Sequence, residues 1–117
     1  MFTYGCEITY IVDGDTCDVT IDLGFKIEHK ARVRLYGINT PETRTRDKEE
    51  KYRGLQAKAR FTELVREKEI RLVSHDKGKY GRVLGEIMVE RGKEWVSVNK
   101  QLIKEGHAVE YFGGKRR

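Results

Sequence analysis

The sequence predicts a small closed β-barrel capped by helices. Three observations lead there. The chain has 117 residues, the size of one ordinary domain. Short runs of period-two alternation, broken by glycine-containing turns, recur along much of it. Several short strands laid out flat would leave long open edges, so closure is the expected solution. A single domain over residues 1–112 and a flexible basic tail over 113–117 account for the whole length.

The elements follow in order. Residues 3–12 set Tyr4, Cys6, Ile8, Tyr10 and Val12 against mostly polar neighbours, and residues 16–23 repeat the pattern with Cys17, Val19, Ile21 and Leu23. The pair reads as an antiparallel hairpin turning at Asp13-Gly14-Asp15, where glycine supplies a positive φ. In that register Cys6 faces Asp22 and Cys17 faces Ile11, so no disulfide is expected and both thiols fill the core. Residues 26–38 form a third strand, with Ile27, Ala31, Val33 and Leu35 inward and Glu28, Lys30, Arg32 and Arg34 outward. Pro41 ends it.

From Lys48 to Glu67 the period changes: Ala57, Phe61, Leu64 and Val65 fall on one helical face. Asp47 fits the N-cap, with Glu50 placed to bond back to it. Ile70, Leu72 and Val73 suggest a fourth strand. Residues 82–90 suggest a fifth, turned back through Arg91-Gly92-Lys93 to Trp95-Val96, with Trp95 expected to anchor the barrel or a helix. Residues 98–105 form a short second helix that Gly106 stops.

Charge is distributed unevenly. The 24 Lys and Arg outnumber 19 Asp and Glu, for a net charge of +5. Residues 1–29 hold one base against six acids, while residues 30–117 hold 23 bases against 13 acids. The basic body suggests a polyanionic partner and the acidic cluster a cation. No apolar run is long enough to cross a bilayer. No signal peptide is apparent, so a cytoplasmic protein, or the mature form of a secreted one, is expected. His29 and His75 show no ligand spacing with the two cysteines, which argues against zinc.

Three clusters carry chemistry: Asp13-Gly14-Asp15-Thr16, then Arg34 with Asn39-Thr40-Pro41-Glu42-Thr43, and Lys79-Tyr80-Gly81-Arg82. Singly, each reads as a turn, an exposed arginine beside a loop carboxylate, or a polar hairpin loop. Gly54-Leu55-Gln56-Ala57-Lys58-Ala59 follows the second cluster, and Asn99 with Leu102 through Glu105-Gly106-His107-Ala108 follows the third. Together, in this order and spacing, they resemble the staphylococcal nuclease family across nearly the whole chain.

The resemblance implies an α+β fold: a five-stranded OB-fold Greek-key barrel capped by two or three helices. It implies calcium-dependent hydrolysis of DNA and RNA by water, breaking the P–O5′ bond and leaving 3′-phosphates. Asp15, Asn39 and the Thr40 carbonyl then match metal ligands, and Glu42 matches the residue that holds or deprotonates the attacking water. Arg34 and Arg82 match the phosphate-binding pair, and Lys79, Tyr80, Tyr111 and Phe112 match substrate contacts. The chemistry is coherent. Guanidinium groups make bidentate hydrogen bonds to phosphate oxygens as lysine does not, and one such group is worth roughly 10³-fold in phosphoryl transfer. Calcium takes hard oxygen ligands.

Two departures matter. The family has an aspartate where this chain has Asn39, so one ligand charge is lost and a weaker calcium site is expected. Near the end, either Phe112 or Tyr111 occupies the stacking position. The reading is a monomeric calcium-dependent nuclease; the alternative is a non-catalytic module that binds single-stranded nucleic acid. A third reading, a protein-binding scaffold, would predict an apolar patch and indifference to salt.

Overall fold

The structure, a computed structural model, describes residues 2–77 and 82–112. Among the described residues, eight strands and two helices run in the order β1 (Phe2–Asp13), β2 (Thr16–Asp22), β3 (Glu28–Leu35), β4 (Ile38–Asn39), α1 (Lys48–Val65), β5 (Ile70–Lys77), β6 (Val83–Arg91), β7 (Glu94–Ser97), α2 (Val98–Lys104) and β8 (Val109–Glu110). The main sheet has the order β3-β2-β1-β5-β6-β7, and β3 also pairs with β6. That last contact is parallel, Val33 opposite Val83 through Leu35 opposite Gly85. It closes β1, β2, β3, β6 and β5 into a five-stranded barrel, as expected, with β7 folded back along β6.

The barrel interior follows from the alternation. Cys17, Val19 and Ile21 from β2, Val33 and Leu35 from β3, Leu72 from β5, and Ile87 and Val89 from β6 are buried. Phe61 of α1 and Val98 and Leu102 of α2 cover the barrel with no more than 1% of their surface exposed. Arg60 of α1 clasps Glu105 beyond α2 through two hydrogen bonds, Nε to Oε1 at 2.6 Å and Nη2 to Oε2 at 2.9 Å. This fork holds the Glu105 carboxyl down at about 2. Arg60 therefore ties α1 to the end of α2.

Several expectations are corrected. The β1–β2 register slips twice, between Ile8 and Tyr10 and between Ile11 and Asp13. Cys6 consequently faces Ile21 rather than Asp22, although Cys17 does face Ile11. The first bulge turns Tyr10 outward and sends Ile11 toward the core instead. Both cysteines are free, and burial pushes the Cys6 thiol up to about 11 and the Cys17 thiol higher still.

β3 begins at Glu28 because Gly24, Phe25 and Lys26 all adopt positive φ in the preceding turn, which leaves Ile27 exposed. α1 stops at Val65, before a left-handed Glu67. Asp47 caps it by accepting from the Glu49 and Glu50 amides. Glu50 does not bond back to Asp47, whose own amide donates to Thr45 Oγ1. α2 ends in a Schellman motif, with the Gly106 and His107 amides reaching Ile103 and Leu102. Trp95 stands outside the core, with the Arg71 guanidinium 4.0 Å above its ring.

Candidate active site

The β1–β2 turn, the end of β3 and the segment after β4 meet at one point. Asp15 is buried there, and its backbone carbonyl accepts from the Leu35 amide at 2.8 Å, fixing the turn to the end of β3. Its Oδ1 accepts from the Thr16 hydroxyl at 3.0 Å and its Oδ2 from the Thr40 amide at 3.0 Å. Arg34 lies opposite Thr16 in the β2–β3 ladder. Its Nη1 stands 3.4 Å from Asp15 Oδ2, and its Nη2 donates to Asn39 Oδ1 at 3.1 Å. One guanidinium thus touches both side chains expected to ligate metal.

The segment 40–43 is clamped from three sides. Asp15 holds Thr40, Thr43 donates its hydroxyl to Asp13 Oδ1, and the Glu42 amide donates to Glu50 Oε2 at 3.2 Å. α1 presses against it closely. A Cβ on Gly54 would lie 2.6 Å from the Glu42 carbonyl oxygen, and one on Gly14 would lie 2.7 Å from Ala57 Cβ. Gly14 is not in the left-handed region, so closeness to α1, not turn geometry, requires glycine there. The Glu42 side chain itself is exposed.

The other expected residues are spread around this point. Arg82 is half-buried and immediately precedes Val83, which pairs with Val33 of β3. The Tyr111 amide donates to the Gly37 carbonyl at 2.9 Å. Phe112 packs on Gly37 and meets the Tyr36 ring edge-on at 5.6 Å, while Tyr36 stacks on His75 at 4.2 Å. Lys79 and Tyr80 lie outside the described residues, as does the tail 113–117.

Three positioning groups were not legible as such. Glu50 looked like half of a capping box, and Thr43 like the end of a motif. Buried Asn99 was part of the family pattern with no role attached. Its Oδ1 accepts from the Ile87 amide, and its Nδ2 donates to the carbonyls of Tyr36 at 2.9 Å and Gly85 at 3.1 Å. It pins the strand ends that carry Arg34 and Arg82.

Residues 32–117 match the family described as staphylococcal nuclease homologue. The chain belongs to that family. Asp15 precedes the matched segment and joins it through Arg34 and Thr40. Among curated proteins, the chain is 30% identical over 115 residues to Protein ParB of Escherichia coli, covering 93% of this chain and 59% of that protein. It is 27% identical over 110 residues to micrococcal nuclease of Shigella flexneri, covering 90% and 57%. It is 32% identical over 88 residues to a probable staphylococcal-like nuclease of Oryza sativa subsp. japonica, covering 75% and 24%. The chain thus spans less than two-thirds of each relative. No described helix is long and apolar enough to cross a membrane.

Family membership raises the matter of a calcium ion. The donors are of the right kind: a buried carboxylate at Asp15, an amide oxygen at Asn39 and a backbone carbonyl at Thr40. All are hard oxygens, and the shared Arg34 contact brings the two side chains to one spot. Only one carries charge. Among the described residues, no three Asp, Glu, His or Cys side chains group as a ready metal site.

Proposed function

We propose that this protein is a calcium-dependent phosphodiesterase that hydrolyses DNA and RNA at the P–O5′ bond and leaves 3′-phosphates. One observation carries the reading. Arg34, Asp15, Asn39 and Thr40 form a single cluster joined by hydrogen bonds and the Arg34–Asp15 ion pair, with Glu42 two residues beyond Thr40 on a segment clamped by Asp13, Asp15 and Glu50.

Each residue then has a task. Asp15, Asn39 and the Thr40 carbonyl would hold the cation. When bound, calcium supplies positive charge that offsets the phosphate's and orients water. Arg34 offers its guanidinium to the phosphate oxygens, exchanging its present contacts for charge-assisted bonds to an anion. Arg82 does the same from the start of β6. Together they stabilise the five-coordinate transition state, which gathers more negative charge than the diester ground state. Glu42 accepts the proton of the attacking water as the P–O5′ bond breaks, and the departing 5′-oxygen takes a proton from solvent water. Tyr111 and Phe112 border the nucleotide, and Lys79 and Tyr80 contact the substrate from the loop before Arg82. The protein works as a monomer.

The test is digestion of denatured DNA and of RNA with calcium, with magnesium and with chelator, beside Glu42→Gln. Calcium-dependent cleavage that falls on the order of 10²-fold or more in Glu42→Gln is the expected result. Salt-sensitive binding without cleavage at millimolar calcium would instead favour a binding module.

A further inference from the structure

Beyond the reacting phosphate, β3 carries a second feature. Arg34, Arg32 and Lys30 alternate along the outward face of this strand, each about 7 Å from the next at strand rise. That interval is comparable to the separation of successive phosphates in an extended single strand. Arg32 and Lys30 border a shallow open groove of about 370 Å³ on the outer face of β1, β2 and β3, whose floor includes Thr9, Asp18 and Thr20. Tyr10, turned outward by the bulge at Thr9, stands in register with Asp18, which is in turn opposite Arg32. The Tyr10 ring is 59% exposed, and the Lys58 ammonium of α1 lies 5.7 Å from its centroid.

We propose that this groove is an extended substrate subsite that receives one strand of a nucleic acid leaving the reaction centre, with Arg32 and Lys30 on its phosphates and Tyr10 against a base. The proposal rests on the nuclease reading and adds a direction and a length to its substrate. The strand passes from the aromatic cluster of Tyr36 and Phe112, over Arg34, and out along β3.

The details of Arg32 fit a phosphate receiver. Asp18 takes two of its five N–H groups, from Nε at 2.7 Å and from Nη2 at 3.2 Å. The carboxylate fixes the guanidinium plane, and the remaining N–H groups have no partner among the described residues. Asp18→Asn would keep an oxygen for that contact while removing the charge that competes with a phosphate for Arg32. Lys30 and Lys58 have no acid within ion-pair distance among the described residues. The track also has an end. Asp22 and Glu28 stand opposite each other on the outward face one step past Lys30 and repel a further phosphate. The footprint is therefore about two phosphates beyond the one that Arg34 holds.

The test reads binding rather than cleavage. Fluorescence anisotropy in chelator measures affinity for single-stranded DNA of about 12 nucleotides, within the span that OB folds occupy, and for a dinucleotide. In the native protein the longer strand binds more tightly. In Arg32→Ala/Lys30→Ala that gain falls about tenfold, and the slope of log affinity against log salt drops by about 1.4, the release expected for two phosphates. Asp18→Asn, which removes the one acid among the described residues that line the groove, tightens the longer strand several-fold, a gain that a merely structural loss would not produce. Charge-preserving Arg32→Lys/Lys30→Arg keeps the salt slope and guards against misfolding as the cause. The proposal is overturned if the double alanine variant keeps native affinity and slope, or if Asp18→Asn weakens binding. In that case cleavage by the native protein would leave the nuclease reading standing. A native protein that neither binds nor cleaves any strand would overturn both.

Discussion

Gly54 sits inside α1, where alanine would ordinarily be the better residue. Helix propensity alone predicts that Gly54→Ala stabilises the protein by about 1 kcal/mol. The packing predicts otherwise. The added Cβ would lie 2.6 Å from the Glu42 carbonyl oxygen and 2.8 Å from both the Glu42 carbonyl carbon and the Pro41 carbonyl oxygen. These are backbone atoms, which cannot swing away like a side-chain tip. Comfortable contact for carbon begins near 3.5 Å, so helix and loop must separate by a substantial fraction of an ångström. Overpacking of this sort costs about 1–3 kcal/mol. Set against the propensity gain, the net is a loss of about 1 kcal/mol.

The larger effect falls on Glu42, which rides on the displaced segment. A misplacement of about 1 Å can cost 10²-fold in rate, so kcat is expected to fall about 10- to 100-fold with KM little changed. Urea unfolding and steady-state digestion of denatured DNA check the two parts. A variant about 1 kcal/mol more stable than the native protein, with native kcat, would show that α1 does not press on the loop and refute the reasoning.

Two further substitutions probe the proposed calcium site and the helix clasp. Asn39→Asp restores a second ligand charge beside Arg34 and is expected to lower the calcium concentration for half-maximal activity on the order of tenfold. A calcium titration that does not move would remove Asn39 from the site. Glu105→Gln breaks the fork to Arg60 and costs about 1 kcal/mol near neutral pH, more than an ordinary surface pair because the contact is bidentate. Arg60, with a second hydrogen bond from Gln101, lowers the Glu105 carboxyl from 4.5 to about 2. Its contribution is therefore present in full above about 4.5 and is lost as pH falls toward about 2. Denaturation curves of the two proteins should converge across that window, and an equal gap at both ends would contradict the assignment.

Much of this fold was legible because alternation is a direct imprint of a barrel wall. Val19, Ile21, Val33 and Leu35 point inward where period two places them. What escaped were features without a period. A bulge is one extra residue, so nothing in Ile8-Thr9-Tyr10 announces that Tyr10 faces out. β4 and β8 are two residues each and pair with each other. Too short to alternate, they are held by tertiary contact.

The site followed a similar division. Residue types suited to phosphate chemistry were visible at Asp15, Arg34 and Glu42, but their convergence depended on resemblance to a known pattern, because no local rule joins positions so far apart. Gly14 and Gly54 read as a turn former and a helix weakener. The structure shows both as points of close approach between α1 and the site. Glu50 reads as a helix-capping acid because the capping signature is local, whereas its partner, the Glu42 amide, is eight residues back across a loop.

The central claim is that one guanidinium organises the reaction centre, and Arg34→Lys tests it most directly. Lysine keeps the charge but loses the fork that reaches Asp15, Asn39 and the Leu35 carbonyl together. Circular dichroism establishes that the barrel is intact, and single-turnover cleavage of denatured DNA at saturating calcium gives the rate. The account predicts a fall on the order of 10³-fold in that rate in a folded protein. A folded Arg34→Lys protein cleaving within about tenfold of the native rate would contradict it, because no transition-state contact specific to the guanidinium could then be at work.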